Sequence, residues 1–134
     1  MANEPTCIEA PRVIKRLTCA DGTAIPYNTC LALTDPNTGA ANTTTDVWGG
    51  ITVEEKTLSD GITNVGAALD GTWDMYAGGG TTIVAGELVR LSGPNTIEGD
   101  VTEAMIIAGK VVGKAKESVT IGTPERIRVD VGLI

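Results

Sequence analysis

The stretch Thr23-Ala24-Ile25-Pro26-Tyr27-Asn28-Thr29-Cys30-Leu31-Ala32-Leu33-Thr34-Asp35-Pro36-Asn37-Thr38 aligns without a gap to Thr81-Thr82-Ile83-Val84-Ala85-Gly86-Glu87-Leu88-Val89-Arg90-Leu91-Ser92-Gly93-Pro94-Asn95-Thr96. Identities fall at the opening Thr, at Ile25 and Ile83, at Leu33 and Leu91, and at the closing Pro-Asn-Thr, with Leu31 opposite Val89. A match at fixed offset that preserves both apolar positions and turn residues is the mark of a duplicated supersecondary unit. Each copy reads as an entry at Ile, a tight reversal at Tyr27-Asn28 or Ala85-Gly86, an apolar strand and a Pro-Asn turn. Both copies should share secondary structure and turn type, with Ile25, Leu31, Leu33, Ile83, Val89 and Leu91 in the core. Each copy is followed, at looser spacing, by a Val-Gly-x-Ala step, Val65 to Ala68 and Val112 to Ala115. These steps read as matching strands where Gly lets two backbones approach.

Outward from this repeat the chain remains β-like. Thr and Val are plentiful, Gly, Asn, Asp and Pro punctuate at short intervals, and helical periodicity is scarce. Strands are predicted over 12–18, 30–33, 51–56, 72–76, 88–91 and 126–131, and a short helix over 101–108, capped by Asp100 or Thr102 with Glu103 in its first turn. The expected fold is all-β: a small β-tulip or β-clip-like barrel with two pseudo-repeated β units and at most one short helix. Residues 1–16 read as an N-terminal arm and the start of the first strand, and residues 17–134 as a single β domain.

Composition narrows the function. The 134 residues contain no His, which removes imidazole-based nucleophile activation, acid-base catalysis and zinc ligation. No enzymatic activity and no cofactor or metal site is expected. A net charge of -7 disfavours a nucleic-acid partner. No apolar run is long enough to span a bilayer and no basic-then-apolar leader opens the chain, so a soluble, unexported protein without a membrane partner is expected. Cys7, Cys19 and Cys30 read as free thiols more readily than as a disulfide framework.

The remaining constellations have plain readings. Gly109-Lys110-Val111-Val112-Gly113-Lys114-Ala115 lacks the Ser or Thr that a phosphate loop places after its Lys. Gly78-Gly79-Gly80 reads as a flexible loop tip. Asp35, Asn37, Gly39 and Asp46 suit a turn better than a calcium loop, since Ala40 stands where that loop needs Gly. Asp70 and Asp74 flank Trp73 as a glycosidase pair would, but read as a solvated strand face. Glu54-Glu55-Lys56 reads as a solvated strand end. Basic residues gather at the two ends, as Arg12, Lys15 and Arg16 and as Lys110, Lys114, Lys116, Arg126 and Arg128, while most of the acids lie between. If the terminal strands lie together, these would form one basic seat, with Glu54, Glu55, Asp70 and Asp74 facing away.

Several motifs taken together resemble the head decoration, or capsid cement, proteins of tailed bacteriophages. They are the Gly22 to Leu33 entry and strand, the Val65 to Ala68 step, Ile83-Val84-Ala85-Gly86-Glu87-Leu88-Val89, the second Val-Gly-Lys-Ala step and the closing Arg128-Val129-Asp130-Val131. The resemblance implies a structural virion protein, made in the host cytoplasm, that binds the outer surface of an icosahedral shell. It also implies the major capsid protein as partner and a homotrimeric state. On this reading Pro5, Ile8, Pro11, Arg12, Val13, Lys15 and Arg16 are the capsid-contact residues. The alternative is a stand-alone β-clip module for a small sugar-like or phosphorylated ligand, to which Ala85 to Leu88 is also similar.

Overall fold

The computed structural model describes residues 3–132; Met1, Ala2, Leu133 and Ile134, the outermost residues of the predicted arm and domain, lie outside the described residues. The described residues form eleven strands and one short helix: β1 (Thr6–Glu9), β2 (Ile14–Thr18), β3 (Cys30–Asp35), β4 (Thr38–Ala41), β5 (Trp48–Thr52), β6 (Asn64–Ala68), β7 (Gly71–Ala77), β8 (Leu88–Gly93), β9 (Thr96–Glu98), α1 (Glu103–Ile107), β10 (Gly113–Ala115) and β11 (Glu125–Val131). Among the described residues no helix is long and apolar enough to cross a membrane.

Each pseudo-repeated unit closes into a five-stranded barrel of its own. Barrel one runs β2-β4-β3-β5-β6; barrel two runs β7-β9-β8-β10-β11, closed by the β7–β9 pairing, with β1 added along β7. The two quoted stretches share the same order of bridge, turn and strand position by position. An isolated bridge stands at Ile25 and Ile83, a turn at 27–28 and 85–86, a strand from Cys30 and Leu88, and a turn at 36–37 and 94–95. Even the irregularities repeat, since β3–β4 slips register between Leu33 and Asp35 and β8–β9 between Leu91 and Gly93. The parallel pairings Thr18 with Thr38 and Tyr76 with Thr96 show that β2 corresponds to β7 at the same offset. Closure removes most free strand edges, which such short strands would otherwise expose.

Two sequence expectations are corrected. The Val-Gly-x-Ala steps are not equivalent: Val65 to Ala68 lies on β6, which pairs with β2, whereas Gly113 to Ala115 is β10, which pairs with β8 and so corresponds to β5. Register, fixed by neighbouring strands, overrides the short sequence likeness. Gly50 and Gly113 are the true counterparts, facing Leu31 and Val89 respectively. A Cβ on Gly50 would stand 2.7 Å from the Ala68 carbonyl oxygen, and one on Gly113 2.1 Å from that of Asp130. The Pro-Asn turns also differ in type: Asn95 is left-handed (φ 52°), Asn37 is not.

The core follows the strand alternation. Ile25, Leu31, Ile83, Val89 and Leu91 are buried as expected, whereas Leu33 is only half-buried. Barrel one packs Leu17, Cys19, Ile25, Leu31, Val65 and Ala67 inside. Its Cys30, Ile51 and Ala68 point the other way and join the larger cluster of barrel two, with Trp73, Met75, Val89, Leu91 and Ile127. The two barrels therefore share one apolar interface. The helix begins at Thr102, whose side chain caps Met105 N–H, with Glu103 in the first turn.

Candidate functional site

The predicted contact residues lie on a strip that crosses from one barrel to the other. β1 pairs with β7 through Thr6–Asp74, Cys7–Trp73 and Glu9–Thr72, and Ile8 sits in the bulge between them, 43% exposed. Pro5 is buried and Pro11 half-buried, so neither offers much surface. The chain then reaches barrel one, where the Asp70 carboxylate accepts the N–H groups of Arg12 (2.8 Å) and Val13 (2.9 Å). Val13 (50%) and Ile14 (53%) are exposed, beside exposed Arg12, Lys15 and Arg16. The structure thus brings Arg12 to Arg16 together at the start of β2 but places Pro5 and Ile8 on the other barrel. Ile14 was missed, although alternation from inward Leu17 puts it on the outer face with Arg16 and so signals its exposure.

One edge of β2 pairs with β6 from Ile14 to Thr18, and the other pairs with β4 only at Thr18. On β7 the corresponding edge is covered by β1. Lys15 occupies the place of Trp73, and the consequence is local. Trp73 is buried and fills its barrel end, its indole N–H donating to the Asp70 carbonyl at 3.1 Å, so it offers no contact surface. The Lys15 ammonium instead reaches out to the Pro36 carbonyl at 2.9 Å. That leaves a mostly apolar cleft of about 490 Å³ lined by Lys15, Leu33, Thr34, Asp35, Pro36 and Val47.

The charges do not segregate as expected. Glu54 pairs with Arg16 (2.6 Å), whose guanidinium also donates to Asn64, and Asp74 pairs with Arg126 (3.3 Å). Arg126 further donates to the Glu4 carbonyl at 2.6 Å, joining the two ends of the chain around β7. Acids placed by sequence on the far face are therefore neighbours of the bases, because strands distant in sequence lie side by side. Such exposed pairs add little stability, but they divide the single basic seat into small mixed patches.

Other singled-out groups have structural employment. Lys56 is buried, not solvated, and its ammonium donates to the Asp21 carbonyl (2.9 Å), Asp21 Oδ1 (3.1 Å), the Thr57 carbonyl (3.0 Å) and Asp60 Oδ1 (3.2 Å). Burial works against its charge, yet the two carboxylates raise its pKa above the usual lysine value. Backbone N–H donation from Ile62, with the Thr57 hydroxyl and Lys56, pulls the Asp60 carboxyl down to about 2. The Gly78 to Gly80 run wraps the Glu98 carboxylate, which accepts Gly80 N–H at 3.1 Å and the Thr81 hydroxyl at 3.0 Å. A Cβ on Gly78 would lie 2.6 Å from that carboxylate, so the run is a tight seat and not a loose tip. Asp35 accepts Asn37 N–H, and Asp46 accepts the N–H groups of Thr43 and Thr44. Cys19 and Cys30 are buried free thiols, raised in pKa by burial, while Cys7 is free and exposed.

A second cleft, of about 410 Å³, is lined by Gly86, Glu87, Leu88, Asp100 and Val101 on barrel two. At the tips of the two barrels Leu58 (64%) and Ile121 (60%) are exposed in the corresponding loops after β5 and β10. No model of a known protein family matches the chain, and no curated protein sequence matches it.

Proposed function

We propose that this chain is a structural virion protein that binds the outside of an icosahedral phage shell and stabilises it, self-associating as a trimer and contacting the major capsid protein. The observation that carries the reading is the exposed run Arg12 to Arg16, which sets Val13 and Ile14 among Arg12, Lys15 and Arg16 beside a strand edge that pairs with β4 only at Thr18. Apolar side chains flanked by charge suit protein docking, with affinity from the former and encounter rate from the latter. The resemblance to decoration proteins supplies the partner. The test is co-sedimentation of the purified chain with expanded shells. The wild-type chain pellets with them, and replacing Arg12, Lys15 and Arg16 by Glu weakens binding at least tenfold and flattens its salt dependence. Equal binding by the triple variant overturns this assignment of contact residues.

A second reading, a β-clip module for a small sugar-like or phosphorylated ligand, draws support from the cleft beside Gly86 to Leu88. Its rim carries Glu87 and Asp100, which repel phosphate and leave the sugar-like class. Calorimetric titration with neutral sugars, on a chain that sediments as a monomer, would favour it over the shell reading.

A further inference from the structure

The two barrels are joined by a contact that is not reciprocated. The Pro94–Asn95 turn of barrel two seats against barrel one. Cys30 N–H donates to Asn95 Oδ1 at 2.8 Å, Asn95 N–H to Asn42 Oδ1 at 3.0 Å, and Asn42 Nδ2 to the Gly93 carbonyl at 2.7 Å. At the same offset, Cys30 corresponds to Leu88, Asn42 to Asp100, and Asn95 to Asn37. Were the barrels related by a two-fold axis, the Pro36–Asn37 turn would sit on Leu88 and Asp100. Asn37 is instead exposed, its N–H held by Asp35 of its own turn at 2.9 Å. The relation is heterologous, and a heterologous contact leaves one receiving face and one inserting face unfilled at the ends of every pair.

Those unfilled faces are the two clefts already described. Leu88 and Asp100 line one of them on barrel two, where barrel one holds the Asn95 turn. The other lies beside Pro36 on barrel one, in the space that Trp73 and buried Leu91 close in barrel two. We propose that the Pro36–Asn37 end of one copy of this chain docks on the Leu88–Asp100 end of a second copy, repeating between chains the contact that joins the barrels within one. This deepens the self-association in the reading above and rests on that part of it, not on the shell.

The contact between chains is more polar than the internal one. Lys15 stands where Trp73 stands, and the receiving face carries Glu87, Asp100 and Asp130 in addition to Lys114, while Asp35 accompanies Lys15 on the inserting face. Inside the chain the Asn95 backbone N–H donates to Asn42 Oδ1; between chains the Asn37 backbone N–H is taken by Asp35, and its side-chain amide is the group that can donate to the Asp100 carboxylate. A joint of this kind is reversible and weakened by salt.

Disulfide trapping of the whole chain tests the direction of the contact. In a Cys7→Ser background, Asn37→Cys and Asp100→Cys chains are mixed at roughly millimolar concentration and oxidised. The mixture gives a linked dimer, each variant alone forms no linked species, and a chain carrying both substitutions gives linked species up to the trimer. Because Asp100 has a left-handed backbone (φ 58°), Leu88→Cys serves as an independent partner for Asn37→Cys. Linking of either variant to itself, or a mixed yield no higher than with Leu58→Cys, exposed on barrel one, in place of both receiving-face variants, overturns the proposal. Trapping without shell binding keeps the interface and removes the proposed function; shell binding without trapping does the reverse.

Discussion

Lys56 shows how far a residue's sequence neighbours can mislead. Next to Glu54 and Glu55 it reads as a solvated strand end, yet it bridges to Ile25 as Val119 bridges to Ile83, so it occupies a core position. The charge is tolerated because Asp21, Asp60 and two carbonyls surround the ammonium, and none of these is signalled by local pattern. Asp60 carries the pH consequence. Its folded pKa of about 2 lies below the ordinary 3.8, so its contribution is full above the ordinary value and is lost as pH falls through the folded one. Urea unfolding should therefore show stability falling between about pH 5 and pH 2, and Asp60→Asn should flatten that fall while lowering stability at pH 7. A slope unchanged by Asp60→Asn would contradict the assignment.

The repeat also sorts its own core residues. Leu91 is fully buried in the same core cluster as Trp73, while its counterpart Leu33 borders an open cleft. Leu91→Ala should cost about 2–5 kcal/mol, and Leu33→Ala distinctly less, because part of its side chain already faces water. Chemical denaturation of the two variants checks the order, and equal losses would mean that the cleft is closed in solution.

At the scale of elements, strands with apolar alternation and turn residues at both ends were legible: β2, β3, β7, β8 and β11 lie within a few residues of their predicted bounds. The α1 cap was readable from Thr102 and Glu103. β1, β4 and β9 were not, since Thr6-Cys7-Ile8-Glu9 or Thr38-Gly39-Ala40-Ala41 carries almost no period of its own and becomes a strand by pairing with a neighbour. β5 was misplaced for the same reason: Gly49 and Gly50 break the sequence signal, but close approach to Leu31 and Ala68 requires them. The segment read as an arm is therefore part of the sheet. Deleting residues 1–10 should uncover the β7 edge and Trp73, lowering the melting temperature and red-shifting tryptophan emission. An unchanged melting temperature would show that β1 contributes no stability.

At the scale of the whole molecule, the duplication was the most informative feature of the sequence, and the relation between its copies the least. Two closed barrels follow from a unit repeated with its turns and its bulge. The interface between them depends on Asn42 and Asn95, polar residues whose burial only the tertiary structure reveals. The candidate contact strip was half legible. Arg12 to Arg16 were found together, while the ion pairs of Glu54 and Asp74, and the Asp70 carboxylate that holds the Arg12 and Val13 backbone, needed strand register that no local motif encodes. Exposed after this pairing are, among other side chains, the apolar and basic run Arg12 to Arg16, the loop residues Leu58 and Ile121, Ile107 of α1, and two clefts, one on each barrel.

The most direct measurement of the account is electron microscopy of expanded phage shells purified with and without this chain. The account predicts added density on the outer surface, two barrels per chain, with the Ile8 to Arg16 strip facing the major capsid protein and the Pro36 turn of one copy against Leu88 of the next. Identical shells in the two preparations, or density confined to the interior or the tail, would contradict it.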